Sequence, residues 1–231
     1  MKLRKTMKKI FIGVAGFLLA AALLVAGLFI RQGVIAHRIN DDYAALLSDA
    51  AYQRPVAASG VHYITQEISC GYAVIEMLAR WQGRDITEQS LFDANGGKVS
   101  TAMGTGFLDE MRKQFPGWEI ARHVALRNSE LLRTVYASLA GGMPVPVELA
   151  ALYDTGSTEV WTLHFALVTG MDLPGDAITV QNPYGYEEVY SVADFLSATR
   201  YDSYENMEIF LRFGFAFGLF HKNTVYIICK P

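Results

Sequence analysis

A run of 21 residues without a charge, Ile10 to Ile30, follows a tail carrying Lys2, Arg4, Lys5, Lys8 and Lys9, and it constrains this chain more than any other feature. A helix of that length spans roughly 30 Å, the thickness of a bilayer's hydrocarbon core, and exceeds the usual signal-peptide apolar region of about 7 to 15 residues. Beyond the run only Arg31 and Arg38 precede the acidic pair Asp41 and Asp42, so positive charge is heavier on the amino-terminal side. The expectation is a single-pass signal anchor with its amino terminus in the cytoplasm and the rest of the chain extracytoplasmic. Small residues at Ala26 and Gly27 keep a cleavable signal open as the competing reading.

The remainder has the material for one packed domain. With 52% hydrophobic and 19% charged residues the chain is neither disordered nor a mini-protein, and a net charge of -3 argues against a nucleic-acid partner, which calls for clustered Lys and Arg. Two cysteines, Cys70 and Cys229, allow at most one disulfide, and no Cys/His spacing suits zinc. The division is a basic tail over 1–9, the anchor over 10–30, a juxtamembrane helix or stalk over 31–56, and a domain over 57–231.

Within that domain the pattern reads as α+β. Helices are predicted from Cys70 to Gln82, from a Thr87 cap, from Phe107 to Phe115, from an Asn128 cap to the Gly141-Gly142 stop, and from a Ser191 cap. Strand signals cover Trp118–Leu126, Met143–Leu149, Trp161–Met171, Ala177–Gln181 and Thr224–Cys229. The glycine-rich stretch from Asn95 to Gly106 reads as a mobile lip, the aromatic run from Phe210 to Phe220 as core or membrane-surface contact, and Cys229 as a packing residue.

Cys70 would crown a helix amino terminus, where unpaired N–H groups and the helix dipole favour the nucleophilic thiolate; a small apolar cysteine packed at a helix start is the plainer alternative. On the strand Trp161–Val168, alternation puts Trp161, Leu163, Phe165 and Leu167 on one face and His164 on the other among small neighbours. Asn182 ends the next strand signal, joined to the first by the turn from Asp172 to Asp176, so its amide oxygen could orient the His164 ring towards the thiol.

Four segments carry a family resemblance: Gln66-Glu-Ile-Ser-Cys70-Gly71, Leu139-Ala-Gly-Gly-Met-Pro-Val-Pro-Val147, His164-Phe-Ala-Leu-Val-Thr-Gly-Met-Asp172 and Asn182-Pro-Tyr-Gly185. The chain resembles the C39-like peptidases of the papain-like superfamily from about Ala57 to Ser197. The resemblance implies a papain-like α+β fold, with a catalytic cysteine helix packed on an antiparallel sheet that carries the histidine and asparagine. It further implies a peptide or protein substrate and four roles: Cys70 as nucleophile, His164 as proton carrier, Asn182 as its orienting partner and Gln66 as oxyanion donor. No metal or organic cofactor is needed by the chemistry that the resemblance implies. Gln66 stands four residues before Cys70 where the family glutamine usually stands six before, and Tyr72 replaces the common proline after Cys-Gly. The resulting expectation is a membrane-anchored, extracytoplasmic and bacterial cysteine peptidase working through a thioester. A non-catalytic peptide-binding module and a thioester-based acyltransferase are the alternatives.

Overall fold

The computed structural model describes residues 2–154, 156 and 158–230. One unbroken helix, α1 (Lys2–Ile39), takes in the basic tail, the apolar run and the first part of the expected stalk. Its apolar turns project bare from the protein, with Phe11, Phe17, Leu23 and Leu24 all exposed. By length and composition it could cross a membrane.

The segment after the apolar run differs from the expected stalk, because it is docked on the domain. The chain leaves α1 through the short helix α2 (Ala44–Leu47) and a 3-10 turn at Ala50–Tyr52. Ile39 and Leu46 are fully buried, Asp41 takes the Ser129 backbone N–H at 3.0 Å and its hydroxyl at 2.6 Å, and Tyr52 packs edge-on against Tyr136. Apolar side chains at helical spacing were legible here; the surface that buries them comes from residues nearly 90 positions away.

After the strand β1 (Val56–Ala57) come the helices α3 (Cys70–Trp81), α4 (Glu88–Ala94) and α5 (Gly106–Gln114). The strand β2 (Glu119–His123) precedes α6 (Asn128–Ala140), then β3 (Val145–Asp154), β4 (Glu159–Asp172), β5 (Ala177–Asn182) and β6 (Tyr186–Tyr190). The chain closes with α7 (Val192–Arg200), α8 (Ile209–Ala216) and β7 (Thr224–Cys229). The strands form one antiparallel sheet in the order β2-β7-β3-β4-β5-β6, with β1 paired to the far end of β4. Two starts follow the expected caps closely, Thr87 accepting from Ser90 and Ser191 from Asp194, and at the expected Cys70 start Ser69 accepts from Tyr72. The α6 start differs. Arg127 is its cap, and Asn128 is instead a wholly buried amide set among Asn40, Arg200 and Asn223.

Two further departures share one cause, burial supplied by distant chain, and a third, at Cys229, runs the other way. Both faces of β4 are covered: His164, Ala166 and Val168 are as deeply buried as Phe165 and Leu167, so the small-residue face is no open surface. The stretch from Asn95 to Gly106 is pinned rather than loose. The Tyr72 hydroxyl donates to the Lys98 carbonyl at 2.9 Å and receives the Ser100 N–H at 2.9 Å, while buried Glu110 holds Ser100 and Asn95. Cys229 is exposed on an otherwise buried strand, and both cysteines are free thiols. An edge strand, β6, was hidden in the sequence by its two glutamates; among the described residues it pairs with β5 alone, and exposure alternates from Glu187 to Tyr190.

Candidate functional site

The site is assembled by α3, β4 and the loop that leaves β5. Cys70 is the first residue of α3 and is half-buried. Gly71 behind it is required by proximity: a Cβ there would stand 2.5 Å from the Thr101 hydroxyl, which belongs to the pinned loop. The backbone N–H groups of Phe165, Gly71 and Cys70 itself lie near enough to the thiol to draw its pKa down. Phe165 is the neighbour of His164 on β4, so the sulfur and the imidazole belong to one locality.

On the other side of the imidazole, His164 Nε2 lies 3.0 Å from Asn182 Oδ1. The orientation of that amide is determined by two more contacts. Its oxygen also accepts the Tyr184 backbone N–H at 2.9 Å, and its nitrogen donates to Glu188 at 3.0 Å. An oxygen facing the ring obliges Nε2 to carry the proton, and Nδ1 is left as the basic nitrogen. Tyr184 stacks on the ring with centroids 4.2 Å apart and fixes its plane.

Desolvation governs the electrostatics. Burial brings the His164 pKa down to about 4, against the opposing pull of the Asn182 hydrogen bond. Burial also pushes the Cys70 thiol up, more than the surrounding N–H groups bring it down, and the charge of Glu88 adds to the rise. The resting pair is therefore thiol and neutral imidazole, in contrast to the thiolate expected from the helix terminus alone. A helix dipole acts within a turn and is modest in strength, whereas taking a thiolate even largely out of water costs more. Tyr184 is likewise pushed up, to about 12, by burial first and Cys70 second.

Gln66 enters through its backbone, donating its N–H to the Pro183 carbonyl at 2.7 Å, next to a Thr65–Tyr184 bridge. The approach is close enough that Gly185, at φ +95°, has Thr65 Oγ1 2.4 Å from where its Cβ would be. The segment before Cys70 is thus laced to the loop after Asn182. The side-chain oxygen of Gln66 is buried without a hydrogen-bond partner among the described residues.

Three residues of the site were not singled out in the sequence. Buried Glu88 accepts the successive N–H groups of Glu67, Ile68 and Ser69 at 2.9, 2.9 and 2.8 Å, and so shapes the turn that delivers Cys70. Its only signal was its place directly after the Thr87 cap. Glu188 and Tyr184 hold Asn182 and His164, and the Asn-Pro-Tyr-Gly motif contained one of them. Beside Asn182 opens a cavity of about 350 Å³ lined by Tyr184, Tyr186, Glu188, Trp161 and Leu152. Among the described residues no group of three or more His, Cys, Asp or Glu side chains is placed to hold a metal.

With that geometry in view, comparison with known families is decisive. The profile described as the Peptidase_C39 like family matches residues 58–209. The chain belongs to the Peptidase_C39-like family. A search of curated proteins finds no match. The matched span opens directly after β1 and runs to the start of α8, so it contains every element of the site and leaves out α1 and β7. The Peptidase_C39-like domain is therefore a mixed helix and antiparallel-sheet unit of cysteine-peptidase-like fold, preceded by a long apolar helix.

Proposed function

We propose that this chain is a membrane-anchored, extracytoplasmic cysteine peptidase that cuts peptide bonds with Cys70, His164 and Asn182. The observation that carries the reading is the 3.0 Å contact between His164 Nε2 and an Asn182 oxygen whose orientation is independently fixed. It leaves Nδ1 free to take a proton, on the strand whose next residue, Phe165, lies near enough to Cys70 for its backbone N–H to lower the thiol pKa.

Because the resting pair is neutral, nucleophile formation and attack belong together. As the substrate carbonyl arrives, the Cys70 S–H proton passes to His164 Nδ1 and the sulfur bonds to the carbonyl carbon. The Asn182 oxygen stabilises the imidazolium through Nε2–H. The oxyanion is met by the Cys70 N–H and the Gln66 amide nitrogen, whose own oxygen is turned into the protein. The C–N bond then breaks, and Nδ1 returns its proton to the leaving amine. Water, deprotonated by the same nitrogen, splits the thioester and restores the thiol. The heavier positive charge before Ile10 supports a cytoplasmic tail and an outside domain.

The test is a thiol-directed activity probe on folded, reduced protein, together with release of amine from a peptide library. Labelling and cleavage by the natural chain, both lost in Cys70→Ala and His164→Ala, support the reading. An unreactive Cys70 in folded protein would overturn it in favour of a peptide-binding module, and thioester turnover only with added amines would favour acyl transfer.

A further inference from the structure

The helix α8 presents an apolar stripe that the domain does not cover. Phe210, Phe213 and Phe217 fall three and four residues apart, on one side of the helix. Phe210 is 81% and Phe217 59% exposed, and Leu219 and Met103, exposed as well, line the same hollow. Soluble surfaces rarely expose so many large apolar side chains together.

What lies beside the patch points to its occupant. Phe213, the middle of the stripe, packs edge-on against Phe29 with ring centroids 5.5 Å apart. Phe29 is the penultimate residue of the charge-free run. One turn on, the buried Gln32 amide donates to the Phe215 carbonyl at 2.6 Å and locks α8 against α1. At about 1.5 Å per residue, Phe210 and Phe217 lie only about 5 to 6 Å along α8 from the ring that touches the end of the span. The zone between hydrocarbon and water is of similar depth, and apolar helix faces settle there with their polar sides outward.

We propose that α8 is a second membrane contact, an interfacial foot whose aromatic stripe beds into the lipid leaflet where α1 leaves it. The inference rests on α1 spanning the bilayer in the mature protein. It gives the domain a fixed attitude: Met103, in the patch, follows directly on the loop whose Thr101 abuts Gly71 beside Cys70. That loop ties the Cys70 end of α3 to the patch, so the substrates Cys70 meets are polypeptides at the bilayer surface.

Full-length protein carrying Phe210→Trp, Phe217→Trp or Leu24→Trp, each exposed in the natural chain, is reconstituted into phosphatidylcholine vesicles with bromine at shallow or deep acyl positions. The emission of Trp81, Trp118 and Trp161 is subtracted using the natural chain. Added emission at 210 and 217 is expected to be lost to shallow bromines, and that at 24 to deep ones. Quenching at 24 with none at either α8 position overturns the foot while the anchor stands. No quenching at 24 overturns the anchor itself, and the foot with it.

Discussion

Glu88→Gln tests the account of how Cys70 is delivered. One carboxylate oxygen accepts the Glu67 N–H and the other accepts those of Ile68 and Ser69. A glutamine has one acceptor oxygen. In its best orientation it keeps the Ile68 and Ser69 bonds, without charge assistance, and turns an NH2 donor on the Glu67 N–H. Hydrogen bonds to charged groups are worth about 1.5 to 3 kcal/mol against about 1 for neutral ones, and an opposed buried donor costs about 1 to 3 more. Because these amides are only part-buried, the loss is set near the low end, about 2 to 3 kcal/mol, which lowers the melting temperature of a domain this size by roughly 5 to 10 °C. Thermal unfolding followed by circular dichroism in detergent measures this. The substitution also deletes a negative charge that raises the Cys70 pKa, so alkylation by iodoacetamide should show the thiol titrating at lower pH. Peptide turnover should nonetheless fall, because the turn that aims the sulfur is loosened. A melting temperature within 1 °C of the natural chain, or a thiol that titrates higher, would refute this reasoning.

Other outcomes follow from the same site. His164 has its pKa moved from 6.5 to about 4 by burial, so the unfolded chain takes up a proton that the folded one refuses. Stability should therefore fall as pH drops from 6.5 towards 4, by about 3 kcal/mol for this group, read from denaturant midpoints, and His164→Gln should flatten that segment of the profile. Asn182→Ala should slow probe labelling roughly a hundredfold by releasing the ring. Asn182→Asp, though similar in shape, sets a carboxylate where the amide nitrogen met Glu188; its labelling should be poor at neutral pH and recover when Glu188→Gln is added, and failure of that rescue would remove Glu188 from the account. Gly71→Ala must displace Thr101 and should cost about 1 to 3 kcal/mol by chemical denaturation, as overpacking does.

Much of this protein was legible locally. The caps at Thr87 and Ser191 stood in the sequence because a cap is a contact between residues three apart, and β7 was read at its observed bounds from its β-branched and aromatic content. Cys70, His164 and Asn182 were legible as chemistry. Glu88 was not, since a glutamate after a helix cap looks the same whether it faces water or three amides of another segment. The α8 helix was missed for a similar reason: in a run so rich in phenylalanine, Arg212 alone is too little polar patterning to reveal a period.

The sequence by itself determined the apolar span and the α+β order and singled out Cys70, His164 and Asn182 as candidates, because length, periodicity and side-chain type are properties of contiguous chain. Tertiary structure alone decided that 31–56 is a docked segment, that both faces of β4 are covered, and that thiol and imidazole rest uncharged. The ionisation of a group follows from how much water and charge the fold leaves around it, and that depends on residues brought in from far along the chain.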